Sequence, residues 1–169
     1  IVLNIKTHIK RIRKKDSNIV AVIPPAGQVP ADSTPEYVML GAHYDHLGRG
    51  ETGGFGIKGE EGMIHNGADD NASGVSTLLE LAAHLAERRQ AHPQEFQRGV
   101  IFSFWSGEEL GLIGSARYAA KPTVNLKQVV AYLNFDMVGR LRENKLTLQG
   151  IGSSSVWKKL IERRNVLAG

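Results

Sequence analysis

Residues 65–74 read His-Asn-Gly-Ala-Asp-Asp-Asn-Ala-Ser-Gly and join a glycine turn to a long patterned run. In that run, apolar side chains recur at the spacing of one helix face, at Val75, Leu78, Leu79, Ala82, Leu85 and Ala86. Asn71 or Ser73 is suited to cap the start of this helix. The adjacent acids Asp69 and Asp70 therefore lie near a helix N-terminus, where carboxylates most often serve only the helix dipole.

Polar residues elsewhere in the chain change that interpretation: His43, Asp45, Glu108, Glu109 and Asp136. His43, the glutamate pair and Asp136 each follow a short apolar segment that reads as a buried strand. In a parallel sheet flanked by helices, ligands bind beyond the carboxyl ends of the strands. The sequence therefore predicts that these side chains meet at one edge of a sheet and hold a metal ion.

The rest of the chain indicates strands that alternate with helices. Strand-like runs occupy residues 18–23, 37–42, 99–105 and 129–135, with weaker runs at 1–9 and 145–149. Helical patterns follow the acidic stretch, cover residues 110–120 and return from Val156. This alternation predicts an α/β fold, a three-layer sandwich in which a mixed, mostly parallel sheet has helices on both faces.

Composition limits the class of protein and the kind of metal site. The 169 residues fit one domain, and 41% hydrophobic with 22% charged residues is ordinary for a soluble chain. No apolar run approaches the roughly 20 residues that span a bilayer. The chain has no cysteine, so His, Asp and Glu must hold any metal, a set that suits zinc, manganese or cobalt. Absence of cysteine also fits a secreted or periplasmic protein.

The net charge of +4 owes much to a basic cluster formed by Lys6, Lys10, Arg11, Arg13, Lys14 and Lys15. Such a cluster can bind nucleic acid or anionic lipid. Here it lies between two strand-like runs and contains no aromatic residue, which favours a solvated hairpin. We therefore expect no nucleic-acid partner; steeply salt-dependent retention on DNA would reverse that expectation.

The residue types allow a two-metal site. One aspartate, such as Asp70, can bridge two ions roughly 3.5–4 Å apart with its two oxygens. His43 and Asp45 are two residues apart on an extended segment, so Asp45 can orient the imidazole. Glu108 and Glu109 point in different directions, so one can bind metal while the other accepts a proton. Asp136, considered by itself, could merely end a strand.

Four blocks in the chain resemble, in order, the co-catalytic di-zinc aminopeptidase family, which includes the bacterial leucyl-type aminopeptidases. They are Gly-Ala-His-Tyr-Asp-His at 41–46, Asn-Gly-Ala-Asp-Asp-Asn-Ala-Ser-Gly at 66–74, Ser-Gly-Glu-Glu-Leu-Gly-Leu-Ile-Gly-Ser at 106–115 and Tyr-Leu-Asn-Phe-Asp-Met at 132–137. The resemblance covers residues 18–150. It implies a mixed eight-stranded sheet, two zinc ions and release of N-terminal residues from peptides.

The resemblance also implies a role for each residue of the cluster. His43 and Asp136 would be ligands of the first zinc, with Asp45 orienting His43. Asp70 would bridge both ions, and its neighbour Asp69 would not be a ligand.

Glu108 would be the general base, and Glu109 would bind the second zinc. The family's second zinc takes another histidine from a late segment, whereas this chain has no histidine after His92. Taken singly, His46, His65, His84 and His92 are typical of surface histidines.

The expectation is therefore a single catalytic domain, residues 1–169, that lacks its C-terminal part. It should bind at most one zinc tightly, cleave peptides poorly and expose a sheet edge that favours self-association. If the fifth ligand comes from within the chain, His46 and His65 are the first candidates. Carboxypeptidase action or N-terminal glutaminyl cyclisation on the same scaffold remains an alternative. A non-catalytic binding domain, as the transferrin-receptor ectodomain resembles, is another.

Overall fold

The structure is a computed structural model that describes residues 3–8, 13–27, 34–50, 59–60, 62–141 and 143–168. The chain divides into two compact units, one ending at Gly139 and the other beginning at Arg140. The first unit contains the sheet and the candidate site. In the second, helix α3 (Ser155–Ala168) follows a short 3-10 turn, Ile151–Ser153. No described helix is both long and apolar enough to cross a membrane.

The sheet of the first unit has four strands in the order β1-β3-β2-β4. Their bounds are Ile19–Ile23 for β1, Tyr37–His43 for β2, Gly99–Trp105 for β3 and Val129–Asn134 for β4. β2 pairs in parallel with β3 and β4, and β1 pairs antiparallel to β3. The sheet is mixed and mostly parallel, as predicted.

A helix covers each face of this sheet. Helix α1 (Gly74–Ala91) packs Leu78 onto the face that carries Leu40 and Phe102. Helix α2 (Ile113–Ala120) packs Tyr118 onto the opposite face, which carries Ile101. Neighbouring residues of one strand point to opposite faces, so an unbroken apolar run serves both layers. The predicted three-layer α/β sandwich is confirmed.

Some weaker sequence predictions are wrong. Residues 3–8 of the predicted strand at 1–9 have no regular structure, and its other residues lie outside the described part. Residues 145–149 form no strand, and Leu146 and Leu148 are exposed. Apolar alternation in these short runs is not enough, because a strand also needs a partner to complete its hydrogen bonds.

The start of α2 and the burial of β4 also differ from prediction. Gly111 and Leu112 have φ angles of +99° and +59°, so the helix begins at Ile113 and not at residue 110. The expected burial of β4 on both faces is wrong. Within the described residues this strand is at the sheet edge, and Val130, Tyr132 and Leu133 are exposed.

Candidate metal centre

The predicted site residues converge at the carboxyl edge of the parallel strands. His43 is the last residue of β2, and Glu108 and Glu109 lie in the loop after β3. Asp136 follows β4, which is the other neighbour of β2. The turn Ala68–Ser73, at the start of α1, brings Asp70 to the same place.

A first potential metal position lies between His43, Asp70 and Asp136. Nε2 of His43 is 3.1 Å from Oδ1 of Asp70 and 3.4 Å from Oδ1 of Asp136. His43 is buried, and its Nδ1 lies 3.0 Å from the backbone carbonyl oxygen of Asp45. This contact favours the tautomer that leaves Nε2 free to bind a metal.

A second potential position lies between His46, Asp70 and Glu109. Nδ1 of His46 is 2.8 Å from Oε1 of Glu109 and 3.8 Å from Oδ2 of Asp70. In each of the two groups, the three candidate ligand atoms lie within 4.8 Å of one another. Asp70 belongs to both groups and faces His43 with one oxygen and His46 with the other.

His46, one of the two histidines considered above for a fifth ligand from within the chain, lies at this second position beside Asp70 and Glu109. The chain turns after β2 so that His43 and His46 both face Asp70. Periodicity describes regular elements and does not predict the path of such a loop. The sequence feature that points to His46 is the His-Tyr-Asp-His motif at 43–46, in which the second histidine lies three residues after the candidate ligand His43.

Donor chemistry and spacing both suit zinc. Nitrogen and carboxylate oxygen are ordinary zinc ligands, and tetrahedral ligands at 2.0–2.1 Å from zinc are roughly 3.3 Å apart. In the first group, the two separations from His43 are 3.1 and 3.4 Å, close to that spacing. The residues present therefore fit zinc.

Asp45 joins the His43 segment to the glutamate pair. Its two carboxylate oxygens accept hydrogen bonds from the backbone N–H groups of Glu108 (3.0 Å) and Glu109 (3.2 Å). Its nearest carboxylate oxygen is 3.7 Å from Nδ1 of His43, so the closer contact to that ring comes from the Asp45 backbone carbonyl. The expected link between Asp45 and His43 thus uses the main chain, and the carboxylate holds the glutamate turn.

The electrostatics of Glu108 suit a proton acceptor. Burial is the largest effect and raises the pKa of the Glu108 carboxyl above its ordinary value. His43 opposes this shift, while the neighbouring carboxylates, led by Glu109, add to it. A carboxylate with a raised pKa is a stronger base. For His43, burial lowers the pKa, but nearby acceptors, led by Asp136, raise it overall.

The two adjacent aspartates have different surroundings. Asp70 faces both histidines, as described above. Oδ1 of Asp69 accepts a hydrogen bond from the backbone N–H of Gly139 at 2.9 Å, and its backbone carbonyl accepts one from Ser73. This geometry is consistent with a ligand at Asp70 and a supporting acid at Asp69.

The side chain of Asn71 makes more contacts than the predicted helix cap requires. Its side chain is buried, donates to the Phe135 carbonyl oxygen at 3.0 Å and accepts from the N–H groups of Gly74 and Met137. Asn71 therefore holds the acidic turn against the segment that carries Asp136. Sequence reasoning identified only the cap because the partner segment is 64 residues away.

A second supporting network, centred on Asp16, was not predicted. One carboxylate oxygen of Asp16 accepts from the Tyr44 hydroxyl at 3.0 Å, and the other accepts from the Ser106 hydroxyl. Tyr44 follows His43, and Ser106 precedes the glutamate loop. Asp16 thus joins two segments of the site. The Ser106 hydrogen bond, with others from Ser17 and Tyr44, lowers the pKa of Asp16.

We predict that Asp16→Asn lowers the melting temperature of the metal-free chain by a few degrees at neutral pH. The two hydroxyls face different oxygens of Asp16, and in Asn one of these positions becomes an uncharged NH2 donor, so one hydroxyl loses its acceptor. Because the folded pKa of Asp16 is depressed, its contribution is present above the ordinary pKa and is lost as the pH falls through the folded value.

Thermal melts at several pH values, with the exposed Glu80→Gln as control, measure this effect. The difference in melting temperature between wild type and Asp16→Asn should disappear at low pH. A loss of melting temperature in Asp16→Asn that is the same at every pH, or that Glu80→Gln shows equally, would contradict the role of Asp16.

An α/β sandwich whose parallel strand ends bring together two His/carboxylate groups sharing one aspartate is typical of two-metal hydrolases. The model of peptidase family M28 matches residues 18–167, and the chain belongs to that family. Its members therefore provide the appropriate comparison for the site.

Several relatives carry aminopeptidase names. The chain is 32% identical over 137 residues to the "Probable lipoprotein aminopeptidase LpqL" of Mycobacterium tuberculosis, covering 80% of the chain and 22% of that protein. It is 29% identical to a "Probable leucine aminopeptidase" of Arthroderma otae (88% and 36%). It is 34% identical to "Leupeptin-inactivating enzyme 1" of Streptomyces exfoliatus (65% and 21%). The chain thus spans only a minor part of these relatives' lengths.

Proposed function

We propose that this chain forms the metal centre of a zinc-dependent aminopeptidase, which removes N-terminal residues from peptides. The observation that carries the proposal is the position of Asp70 between two His/carboxylate groups. Family membership supports peptide hydrolysis, and the names of the relatives favour aminopeptidase over carboxypeptidase or cyclase action. The presence of every early candidate ligand argues against a non-catalytic binding domain.

In this proposal, His43, Asp70 and Asp136 would hold the first zinc, and Asp70 and Glu109 would contribute to holding the second. When bound, the two ions would polarise the scissile carbonyl and lower the pKa of the attacking water. The chain's own residues orient the glutamate loop and transfer a proton to the leaving amine. Asp45 fixes the loop of Glu108 and Glu109 through their backbone N–H groups.

Glu108 takes the proton from the attacking water and passes it to the leaving amine. Its pKa, raised by burial, favours the first transfer, and the protonated acid can then donate. Glu109 has a different partner, since its Oε1 is 2.8 Å from His46. This difference supports separate roles for the two adjacent glutamates.

A substrate panel tests the proposed activity. Zinc-loaded 169-residue chain, and any longer natural form that contains it, should release nitroaniline from aminoacyl-nitroanilides with a free amine. The same substrates with a blocked amine should be inert, and a chelator should abolish turnover until zinc is restored. Cleavage of blocked substrates, or cyclisation of N-terminal glutamine in place of hydrolysis, would contradict an aminopeptidase.

We also propose a secreted or periplasmic location. The lipoprotein name of one relative supports it. Fractionation of the native cells, with an antibody to this chain, measures it. Recovery only from the cytoplasm would be contrary to this proposal.

Self-association through the exposed edge strand is a further prediction. Val130, Tyr132 and Leu133 of β4 are 48%, 44% and 39% exposed. An exposed apolar edge favours pairing between copies. Sedimentation velocity should show concentration-dependent association that Val130→Lys reduces and Leu79→Lys, on exposed α1 surface, leaves in place. A chain that stays monomeric at high concentration would contradict this prediction.

A further inference from the structure

We propose that Tyr132 is a positioning residue of the metal centre, because its hydroxyl links β4 to β3 across β2 and so fixes the separation of His43 and Asp136. The inference rests on the proposed metal centre, in which those two residues hold the same ion. Among the described residues, Tyr132 forms hydrogen bonds with Trp105 and Asn134, and neither of these is a candidate ligand. Any effect of its hydroxyl on bound metal must therefore pass through the strands.

Two side-chain hydrogen bonds cross the sheet near its carboxyl edge. The indole N–H of Trp105 donates to the Tyr132 hydroxyl at 2.8 Å, and this hydroxyl donates to Oδ1 of Asn134 at 2.7 Å. Trp105 is the last residue of β3, whereas Tyr132 and Asn134 belong to β4. The strand between them is β2. This Tyr132 link therefore spans the three strands whose ends carry the candidate site.

The ring of Tyr132 reaches Trp105 by lying over Gly41 of β2. A Cβ at Gly41 would lie 2.8 Å from two carbon atoms of this ring, whereas ordinary carbon contacts are roughly 3.5–4.0 Å. Gly41 lies in a regularly paired part of the strand, so its backbone conformation does not itself require glycine. The space that Tyr132 occupies does require it. The strand that ends at His43 is thus fitted to the Tyr132 ring.

The Tyr132 link lies between an irregularity in the strand pairing and the candidate ligand Asp136. The register of β4 against β2 shifts between Tyr37 and Val38, at the start of the pairing. One residue of slippage would move Asp136 by roughly 3.3 Å along the strand. That is as large as the whole separation of 3.4 Å between Nε2 of His43 and Oδ1 of Asp136. The Tyr132 link fixes the register after the irregularity.

Backbone hydrogen bonds continue beyond the strands at the same level. The N–H of Phe135 donates to the Gly41 carbonyl at 2.8 Å, and that of Tyr44 donates to the Trp105 carbonyl at 2.9 Å. Because these bonds do not involve the Tyr132 hydroxyl, the sheet should stay folded when the hydroxyl is removed. A purely structural link would then change the melting temperature alone. A positioning link also changes the zinc affinity of the folded chain.

The test is a zinc titration of the metal-free 169-residue chain, in which Tyr132→Phe is compared with wild type well below both melting temperatures. Phe keeps the ring over Gly41 and removes only the hydroxyl. With ¹⁵N-labelled histidine, the ring nitrogen resonances of His43 report zinc at the first position. We expect the affinity measured there to fall by roughly tenfold, the lower end of the usual effect of losing a supporting residue.

Tyr118→Phe is the matched control. It removes another tyrosine hydroxyl, which is hydrogen-bonded to Thr123 at 3.2 Å, from a ring that packs on Trp105. The affinity at His43 should be the same as in wild type. Equal affinities for wild type and Tyr132→Phe, or equal losses in the two variants, would overturn this inference and leave the metal centre standing. A wild-type chain that binds no zinc at His43 would overturn the metal centre and this inference with it.

Discussion

Replacing Glu108 by Gln should lower peptidase turnover by roughly 10²–10⁴-fold, the usual effect of losing a general base. Gln has nearly the size of Glu but cannot accept the proton from the attacking water. Because Glu108 is proposed as a base and not as a ligand, bound zinc and the melting temperature should stay close to wild type. Steady-state kinetics, with metal content measured on the same samples, test both expectations.

The adjacent Glu109→Gln is the matched control. Its side chain faces His46 at 2.8 Å, so its loss should weaken the second metal position. A Glu108→Gln protein that loses metal, beside a Glu109→Gln protein that keeps it, would show that the two roles are reversed.

Asp70→Asn should weaken zinc binding at both positions, each by at least about tenfold, the lower end of what loss of a mere supporting residue costs a metal site. Asn has a single carbonyl oxygen and no charge, whereas Asp70 faces His43 with one oxygen and His46 with the other. Turnover should fall with the metal. Zinc titration of the metal-free variants gives both affinities.

Asp69→Asn, one residue away, is the natural comparison. The Asp69 carboxylate accepts from the Gly139 N–H, and an Asn side-chain oxygen can do the same. Its zinc affinities should therefore remain much closer to those of wild type. Equal loss of metal from the two variants would contradict a special role for Asp70.

The sequence was most informative where one local pattern determines one element. The apolar run Gly99–Trp105 matches β3 to the residue, since a central strand needs apolar side chains on both faces. The helical spacing after Asp70 likewise gave α1. Predictions based on weak alternation, at residues 1–9 and 145–149, were less informative because pairing with a distant strand decides such segments.

The same distinction applies to the site. His43 and Asp136 could be predicted because the ends of neighbouring parallel strands must lie close together. His46, Asp16 and Asn71 depend on the paths of loops and on contacts between segments 63 to 90 residues apart. Sequence periodicity cannot predict such contacts. Of the two histidines considered as a fifth ligand, the structure brings His46 beside Glu109, a contact that the sequence alone could not distinguish from one made by His65.

The central claim is that two metal ions share Asp70, and anomalous X-ray scattering at the zinc edge tests it most directly. Crystals of the zinc-loaded chain should show two peaks roughly 3.5–4 Å apart, as two-metal hydrolases require. One peak should lie against His43 and Asp136, the other against Glu109, with an oxygen of Asp70 beside each. A single peak, or two peaks without Asp70 between them, would contradict the account.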